Sequence, residues 1–245
     1  MARRESHRIG CRADGLGPAV VTRLYLVRHA EAEGNVREFF QGTMNTALTE
    51  KGLRQTECLA ERFKDIALDA VYTSPFRRAV QTAEAVNRYH GLPLIRNPQL
   101  REIAGGRFEG MKWADIPQKF PAEYARWIKK MQTFCAPDGD RMTAVYARMR
   151  KVMTKIARDA AGKTAAVISH GCALRNFLAY VESGSIDGLG AVGWSDNTAV
   201  SLVEYDHGKE RFRLIFKNDS SHLPEALSTL RSSAWNRYDQ KNTGR

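Results

Sequence analysis

The stretch Leu24-Tyr25-Leu26-Val27-Arg28-His29-Ala30-Glu31 decides the fold. An apolar run stops abruptly at an arginine and a histidine side by side. A short run of Leu, Tyr and Val predicts a strand buried on both faces, as in a parallel sheet covered by helices. The residues after it fall at the strand's carboxyl end, where open α/β sheets place their ligands. Arg28 brings a fixed fork of donors suited to phosphate or carboxylate, and His29 a ring nitrogen able to act as base or nucleophile. A solvated loop would also accommodate such a pair, so the decision passes to the rest of the chain.

Outward from this strand the pattern alternates between strand and helix. After a polar loop to Leu48, Thr49 reads as an N-cap and Glu50 as the first turn of a helix to about Lys64. Leu53, Leu59, Ala60 and Phe63 form its apolar face. Ala70-Val71-Tyr72-Thr73 reads as a short buried strand. Ser74-Pro75 supplies a capping hydroxyl and a first-turn proline for a helix to about His90. A short strand near Leu94 to Arg96 leads into Leu100-Arg101-Glu102. Residues 103–139 break the alternation with Gly105, Gly106, Gly110, Pro117, Pro121 and Pro137 among aromatics, which predicts an inserted lid of short helices. Asp140 reads as the cap of a long amphipathic helix whose Met142, Val145, Met149, Val152, Met153 and Ile156 recur at core spacing. Ala165-Ala166-Val167-Ile168-Ser169 is a second buried strand, ending on His170-Gly171 and followed by a helix through Leu174, Phe177, Leu178 and Val181. Strands near 198–205 and 211–217 close the sheet as a hairpin around Asp206-His207-Gly208. The expected class is α/β with a mostly parallel sheet.

A chain of 245 residues, 43% hydrophobic and 27% charged, is long enough to bury a sizeable core. No apolar stretch approaches the length of a membrane span. Cys11, Cys58, Cys135 and Cys172 are scattered without a C-x-x-C pair, which points to reduced thiols in the cytoplasm and away from a disulfide framework or zinc site. The net charge of +11 raises the question of nucleic acid. Residues 1–20 carry +2 of it and residues 231–245 carry +3, with no dense basic run interleaved with aromatics. A cationic pocket and solvated basic surface account for the rest. Residues 1–20 read as a disordered basic extension and residues 226–245 as a basic tail. Val21 begins where the first strand does, and a valine codon serving as the start would leave residues 1–20 outside the native protein.

His29 and His170 each end a buried strand and are followed by Ala or Gly, residues that let another group approach closely. Neighbouring parallel strands would set both imidazoles at one end of the sheet. A third strand delivers Arg78 on the first turn of a helix, whose N-terminal N–H groups and dipole favour anions. The convergence suits phosphoryl transfer, which relies on positioning and on neutralising the equatorial oxygens.

These residues carry a resemblance. Arg28-His29-Ala30-Glu31 with Asn35 beyond it resembles the signature of the histidine phosphatase superfamily, in its phosphoglycerate mutase-like branch. The likeness continues in order through Phe40-Gln41-Gly42, Leu48-Thr49-Glu50-Lys51-Gly52 and Ser74-Pro75-Phe76-Arg77-Arg78-Ala79-Val80-Gln81-Thr82-Ala83. It extends to Leu100-Arg101-Glu102, Gly106-Arg107-Phe108-Glu109-Gly110, Ile168-Ser169-His170-Gly171 and Asn218-Asp219-Ser220-Ser221-His222-Leu223. It implies a three-layer α/β/α domain over residues 21–225 with the lid at about 103–139. It implies His29 as the nucleophile that carries a phosphohistidine, and Arg28, Arg78 and His170 as the groups holding the phosphoryl oxygens. Glu102 would be the general acid and base, and Asn35, Gln41, Gly42 and Gly171 substrate contacts. No metal and no cofactor are implied, and the histidines lack ligand spacing such as H-x-x-x-H. Arg77 falls on a variable, solvent-facing position. Glu31 would orient an arginine, and Glu33 and Glu109 read as structural or solvated. Cys172 reads as a packing residue, His222 as either a substrate contact or a packing residue, and Trp113, Trp127 and Lys112 as lid packing or substrate contacts.

The superfamily holds mutases and phosphatases. This chain has a shorter insertion than the mutases and reads Asp138-Gly139-Asp140-Arg141 where their pattern has Gly-Glu-Ser, a departure that favours hydrolysis. The expected activity is therefore a metal-independent phosphomonoester hydrolase acting on a small phosphorylated metabolite. Phosphoglycerate mutase-type transfer is the alternative, and a non-catalytic anion- or nucleic-acid-binding protein is the remote one. Lys112, Arg126, Lys129, Lys130 and Arg141 in and beside the lid would serve a second anionic group, as in a phosphorylated sugar acid, a sugar phosphate or a nucleotide. The α-ribazole phosphate phosphatases are similar in size and motif order. Expected partners are that metabolite and, at most, a second copy in a homodimer, with neither nucleic acid nor membrane.

Overall fold

Alternation of side chains along the strands builds the domain. Leu24 and Leu26 of β1 (Val21–Arg28) fall on one face of the sheet and Val27 on the other. The same split separates Ala165 and Val167 from Ala166 and Ile168 on β4 (Thr164–Ser169). One face packs on Leu59 and Phe63 of α2 (Glu50–Phe63) and on Ala79, Ala83 and Val86 of α3 (Arg77–Val86). The other packs on α6 (Met142–Asp159) and α7 (Gly171–Ser183). Each large apolar side chain so covered contributes about 1.5–3 kcal/mol. The result is three layers, α/β/α, in a computed structural model that describes residues 20–230.

The sheet has six strands in the order β3-β2-β4-β1-β5-β6, with β2 spanning Ala70–Thr73, β3 Leu94–Arg96, β5 Val200–Asp206 and β6 Arg211–Asp219. β3, β2, β4 and β1 run parallel, and β5 pairs antiparallel with both β1 and β6. Register sets the site. Arg28 lies opposite Ser169, so His29 and His170 emerge as neighbours one step beyond the ladder. His29 N–H donates to the Ser169 carbonyl at 3.0 Å, and Ser74 N–H to the Ile168 carbonyl at 3.0 Å, carrying the pairing past the strand ends.

Between Arg28 and α2, a four-residue helix, α1 (Glu33–Val36), turns the loop. Residues 103–139 form α4 (Ile116–Lys119), α5 (Pro121–Lys129) and two 3-10 turns, packed through Phe108, Ile116, Trp127 and Phe134. Gly106 closes this insertion on itself. It has φ +52, and a Cβ there would lie 2.0 Å from the Pro137 carbonyl. No helix among the described residues is long and apolar enough to cross a membrane.

Several local expectations are corrected. Thr49 does cap α2, accepting from Gly52 N–H at 3.0 Å, but Leu53 is 49% exposed and lies off the buried face. α3 begins at Arg77 with Phe76 at its N-cap and ends at Val86; the Ser74 hydroxyl lies 2.7 Å from His170 Nε2 and accepts from Phe76 N–H only at 3.5 Å. α6 has Arg141 at its N-cap, because Arg101 holds Asp140 at 2.6 Å. The segment expected to be a tail from residue 226 packs on the body as far as residue 230, with Leu227 and Thr229 buried. The expected extension at residues 1–19 and the basic residues 231–245 lie outside the described residues.

Candidate active site

The parallel strands β1 and β4 deliver His29 and His170 with ring centroids 5.2 Å apart, 4% and 0% exposed. His29 Nδ1 lies 2.7 Å from the carbonyl oxygen of Ala30, so this nitrogen carries the proton and donates it there. Nε2 is left with its lone pair. Burial, then the charges of Arg78 and Arg28, hold the His29 pKa well below its ordinary value of 6.5. The ring is neutral near pH 7 and available as a nucleophile.

His29 faces a cavity of about 180 Å³ that Arg28, Arg78, Asn35, Gln41, Gly42, Glu102 and Gly171 also line. Arg78, 1% exposed, is aimed by two backbone carbonyls, Met44 at 2.6 Å and Gly42 at 2.8 Å. Its Nε is buried without an acceptor among the described residues, an unmet demand that an anion in the cavity would answer. Burial lowers the Arg78 pKa to about 10, partly offset by Glu102, so it stays charged at neutral pH. Arg28 donates to the Ser195 carbonyl at 2.5 Å, and Asp196 and Glu102 partly offset the burial that lowers its pKa.

His170 stands behind His29 and does not line the cavity. Its Nε2 is 2.7 Å from the Ser74 hydroxyl, and its buried Nδ1 has no partner among the described residues. Burial first, then Arg78 and His29, push its pKa well below 6.5.

Glu102 sits on the N-terminus of α7. Its Oε1 accepts from Ile103 N–H and Ala173 N–H, both at 2.9 Å, and its Oε2 from Cys172 N–H at 3.0 Å. The helix terminus at the site is therefore that of α7. The expected one, of α3, has its first N–H taken by Asn45 Oδ1 at 2.7 Å. Asn35 uses its Oδ1 to accept from Ala32 N–H, leaving its amide NH₂ as a donor. Gly42 adopts φ +49, which turns its carbonyl onto Arg78, and a Cβ there would strike Glu109. Glu109 is structural, receiving the Thr43 and Gly105 N–H groups at 2.8 Å. Glu31 accepts from the Thr49 hydroxyl at 2.6 Å and pairs with no arginine among the described residues. Cys172 is buried against Met142, its thiol pKa pushed well up by burial.

Several residues missed in the sequence support this arrangement. Thr82 accepts from Ala30 N–H at 3.0 Å and donates to the Arg78 carbonyl at 2.7 Å, tying the histidine strand to the arginine helix. Its place one turn after Arg78 was the available signal. Asn197 donates to the His29 carbonyl at 2.9 Å and is itself held by Thr229 at 2.7 Å. Arg148 grips the Gln99 and Arg101 carbonyls at 2.6 and 2.8 Å, fixing the segment that carries Glu102. Nothing in local sequence marks Asn197 or Arg148.

Fold and site together define an α/β protein built to take an anionic tetrahedral group against a neutral histidine. The chain belongs to the histidine phosphatase superfamily (branch 1), whose family model it matches over residues 24–218. It is 28% identical over 206 residues to phosphoserine phosphatase 1 of Hydrogenobacter thermophilus, covering 84% of this chain and 96% of that protein. A protein named "Probable phosphoglycerate mutase GpmB" from Photorhabdus laumondii is 30% identical over 192 residues, with 75% and 85% covered. The solved structure of Bacillus stearothermophilus YhfR superposes with a TM-score of 0.78 at 30% identity, over 82% of this chain and 98% of that one.

Proposed function

We propose that the chain is a cytoplasmic phosphoric monoester hydrolase that works through a phosphohistidine on a small phosphorylated metabolite, its catalytic unit running from residue 21 through at least residue 230. The observation that carries this reading is the state of His29. Its proton is committed to Ala30 and its ring is neutral, and it faces the same cavity as two buried guanidinium groups. Nε2 attacks phosphorus and the P–O bond to the leaving alcohol breaks. Arg28, Arg78 and the Asn35 amide stabilise the equatorial oxygens. Both lone pairs of Glu102 Oε1 are occupied by N–H donors, so the transferable proton belongs on Oε2, which accepts only one. Oε2 gives that proton to the leaving oxygen. It then takes one from the water that attacks the phosphohistidine, releasing phosphate and restoring the neutral imidazole.

Phosphate release from p-nitrophenyl phosphate tests the reading. Turnover is expected to resist EDTA and to vanish in His29→Ala, with an acid-labile phosphoenzyme trapped in the parent protein. Undiminished turnover in that variant would overturn the mechanism. Interconversion of phosphoglycerates in the presence of 2,3-bisphosphoglycerate, faster than hydrolysis, would favour the mutase alternative.

A further inference from the structure

Beyond the phosphoryl clamp, the cavity changes character. Its remaining wall is dominated by Phe39, Phe40, Trp113, Tyr124, Trp127 and Trp194. Trp127 is the base of this cluster, 8% exposed, with Trp113 at 5.5 Å and Trp194 at 6.1 Å between ring centroids. Trp113 and Trp194 are half-buried and line the cavity beside that base. Phe40 braces Trp113 and Trp127 from below at 5.1 and 5.7 Å. The Arg175 guanidinium lies 4.2 Å over the Trp194 ring and holds its orientation.

Charge for a second anionic group is scarce here. Of the basic residues expected to serve one, Lys112, Arg126, Lys130 and Arg141 are exposed and do not line the cavity. Lys129 lines it from an exposed position. Arg175 is buried, but its Nε is committed to the Val192 carbonyl at 2.6 Å and its Nη2 to the Leu189 carbonyl at 3.2 Å. A carboxylate or second phosphate entering this wall would be desolvated against indole and phenyl rings, with Arg175 the buried cation beside it and two of that guanidinium's nitrogens already given to carbonyls. A flat ring would stack on them.

We propose that the group esterified to the substrate's phosphate carries a planar aromatic ring system, bound by stacking on Trp113 and Trp194 over Trp127. This rests on the phosphatase reading and narrows it. The enzyme then discriminates through KM, favouring aromatic phosphomonoesters over small phosphorylated acids such as phosphoserine or phosphoglycerate.

The test uses primary alkyl phosphates, so that the chemistry of the leaving oxygen is matched: 2-naphthylmethyl, cyclohexylmethyl and isobutyl phosphate, beside O-phosphoserine and 3-phosphoglycerate. The naphthylmethyl ester is expected to exceed isobutyl phosphate and both acids by about tenfold or more in kcat/KM, through KM, in keeping with stacking plus apolar burial. Trp113→Leu and Trp194→Leu are each expected to shrink the naphthylmethyl-to-isobutyl ratio about fivefold. Naphthylmethylphosphonate, which cannot be hydrolysed, should quench the tryptophan fluorescence of the unmodified protein, a readout independent of whether either variant folds. The inference falls if either acid is the better substrate, if cyclohexylmethyl phosphate equals the naphthyl ester, or if the phosphonate leaves the fluorescence unchanged. If no ester releases phosphate, p-nitrophenyl phosphate included, the phosphatase reading itself is what fails.

Discussion

His29 owes the state of its ring to what surrounds it. An exposed histidine near pH 6.5 is half protonated and has one nitrogen to spare only part of the time. Burial removes the protonated form, and the hydrogen bond to Ala30 selects which nitrogen keeps the lone pair. After burial, Arg78 contributes most to the depressed pKa. Arg78→Gln should therefore raise the His29 pKa, moving its protonation to higher pH while burial and Arg28 still hold it below 6.5. Histidine side-chain NMR titration of the two proteins measures this directly, and an unmoved or lowered value would refute the electrostatic account. His170, its ring beside that of His29 and its Nε2 bonded to Ser74, is not among the residues lining the cavity.

At the scale of elements, α7 does two tasks with one terminus. Its first N–H groups seat Glu102, and its first residue, Gly171, lets the Arg28 guanidinium pass. A Cβ on Gly171 would stand 3.3 Å from Arg28 Nε and 3.6 Å from the Trp194 ring. Gly171→Ala is expected to leave Tm nearly unchanged, because the advantage of alanine over glycine, about 1 kcal/mol in a helix interior, is smaller at this first helical position. It should nonetheless lower kcat/KM severalfold by displacing Arg28 a few tenths of an ångström. Wild-type kinetics in this variant would remove Arg28 from the clamp. Elements also show what sequence can reveal. β1, β2 and β4 were legible because continuous apolar runs ending in polar residues have few other readings. α2 was legible through its own Thr49 cap. Ser74 and Asp140 looked like caps by the same local rule and are not. Their partners, His170 and Arg101, lie 96 and 39 positions away, and the longer-range bond prevails. The lid misled in a similar way. Its lysines and arginines are prominent in the sequence but are exposed, Lys129 alone of the five expected cations lining the cavity, whereas its Trp127 meets Trp194, far along the chain.

Over the whole molecule, buried neutral histidines set the response to acid. His29, His170 and His222 all have pKa values below 6.5, that of His222 at about 4. For His222, burial acts first and then the Arg62 charge, whose guanidinium is 3.0 Å from Nδ1 and leaves no room for a proton there. The unfolded chain binds more protons than the folded one between these values and 6.5, so stability is full above pH 6.5 and falls as pH drops below it. A steady decline of Tm from pH 6.5 towards pH 4 is expected in thermal melts. His222→Asn should flatten part of that slope, and an unchanged slope would contradict the assignment.

The C-terminal strap carries a consequence for how the protein comes into being. Asp196, 3% exposed, gathers the N–H groups of Asn197, Thr229 and Leu230 and the hydroxyls of Ser228 and Thr229. Through Asn197 this knot holds the carbonyl of His29 itself. His29 is among the earliest residues of the domain to be synthesised, yet its neighbours on β4 and β5 come some 140 and 170 residues later, and its tether through Asn197 and Thr229 later still. A nascent chain therefore exposes a histidine without a pocket for most of its time on the ribosome. On the proposed function, a chain ended before Thr229 lacks this tether and is expected to lose turnover, which an assay of such a truncation against the full chain would measure.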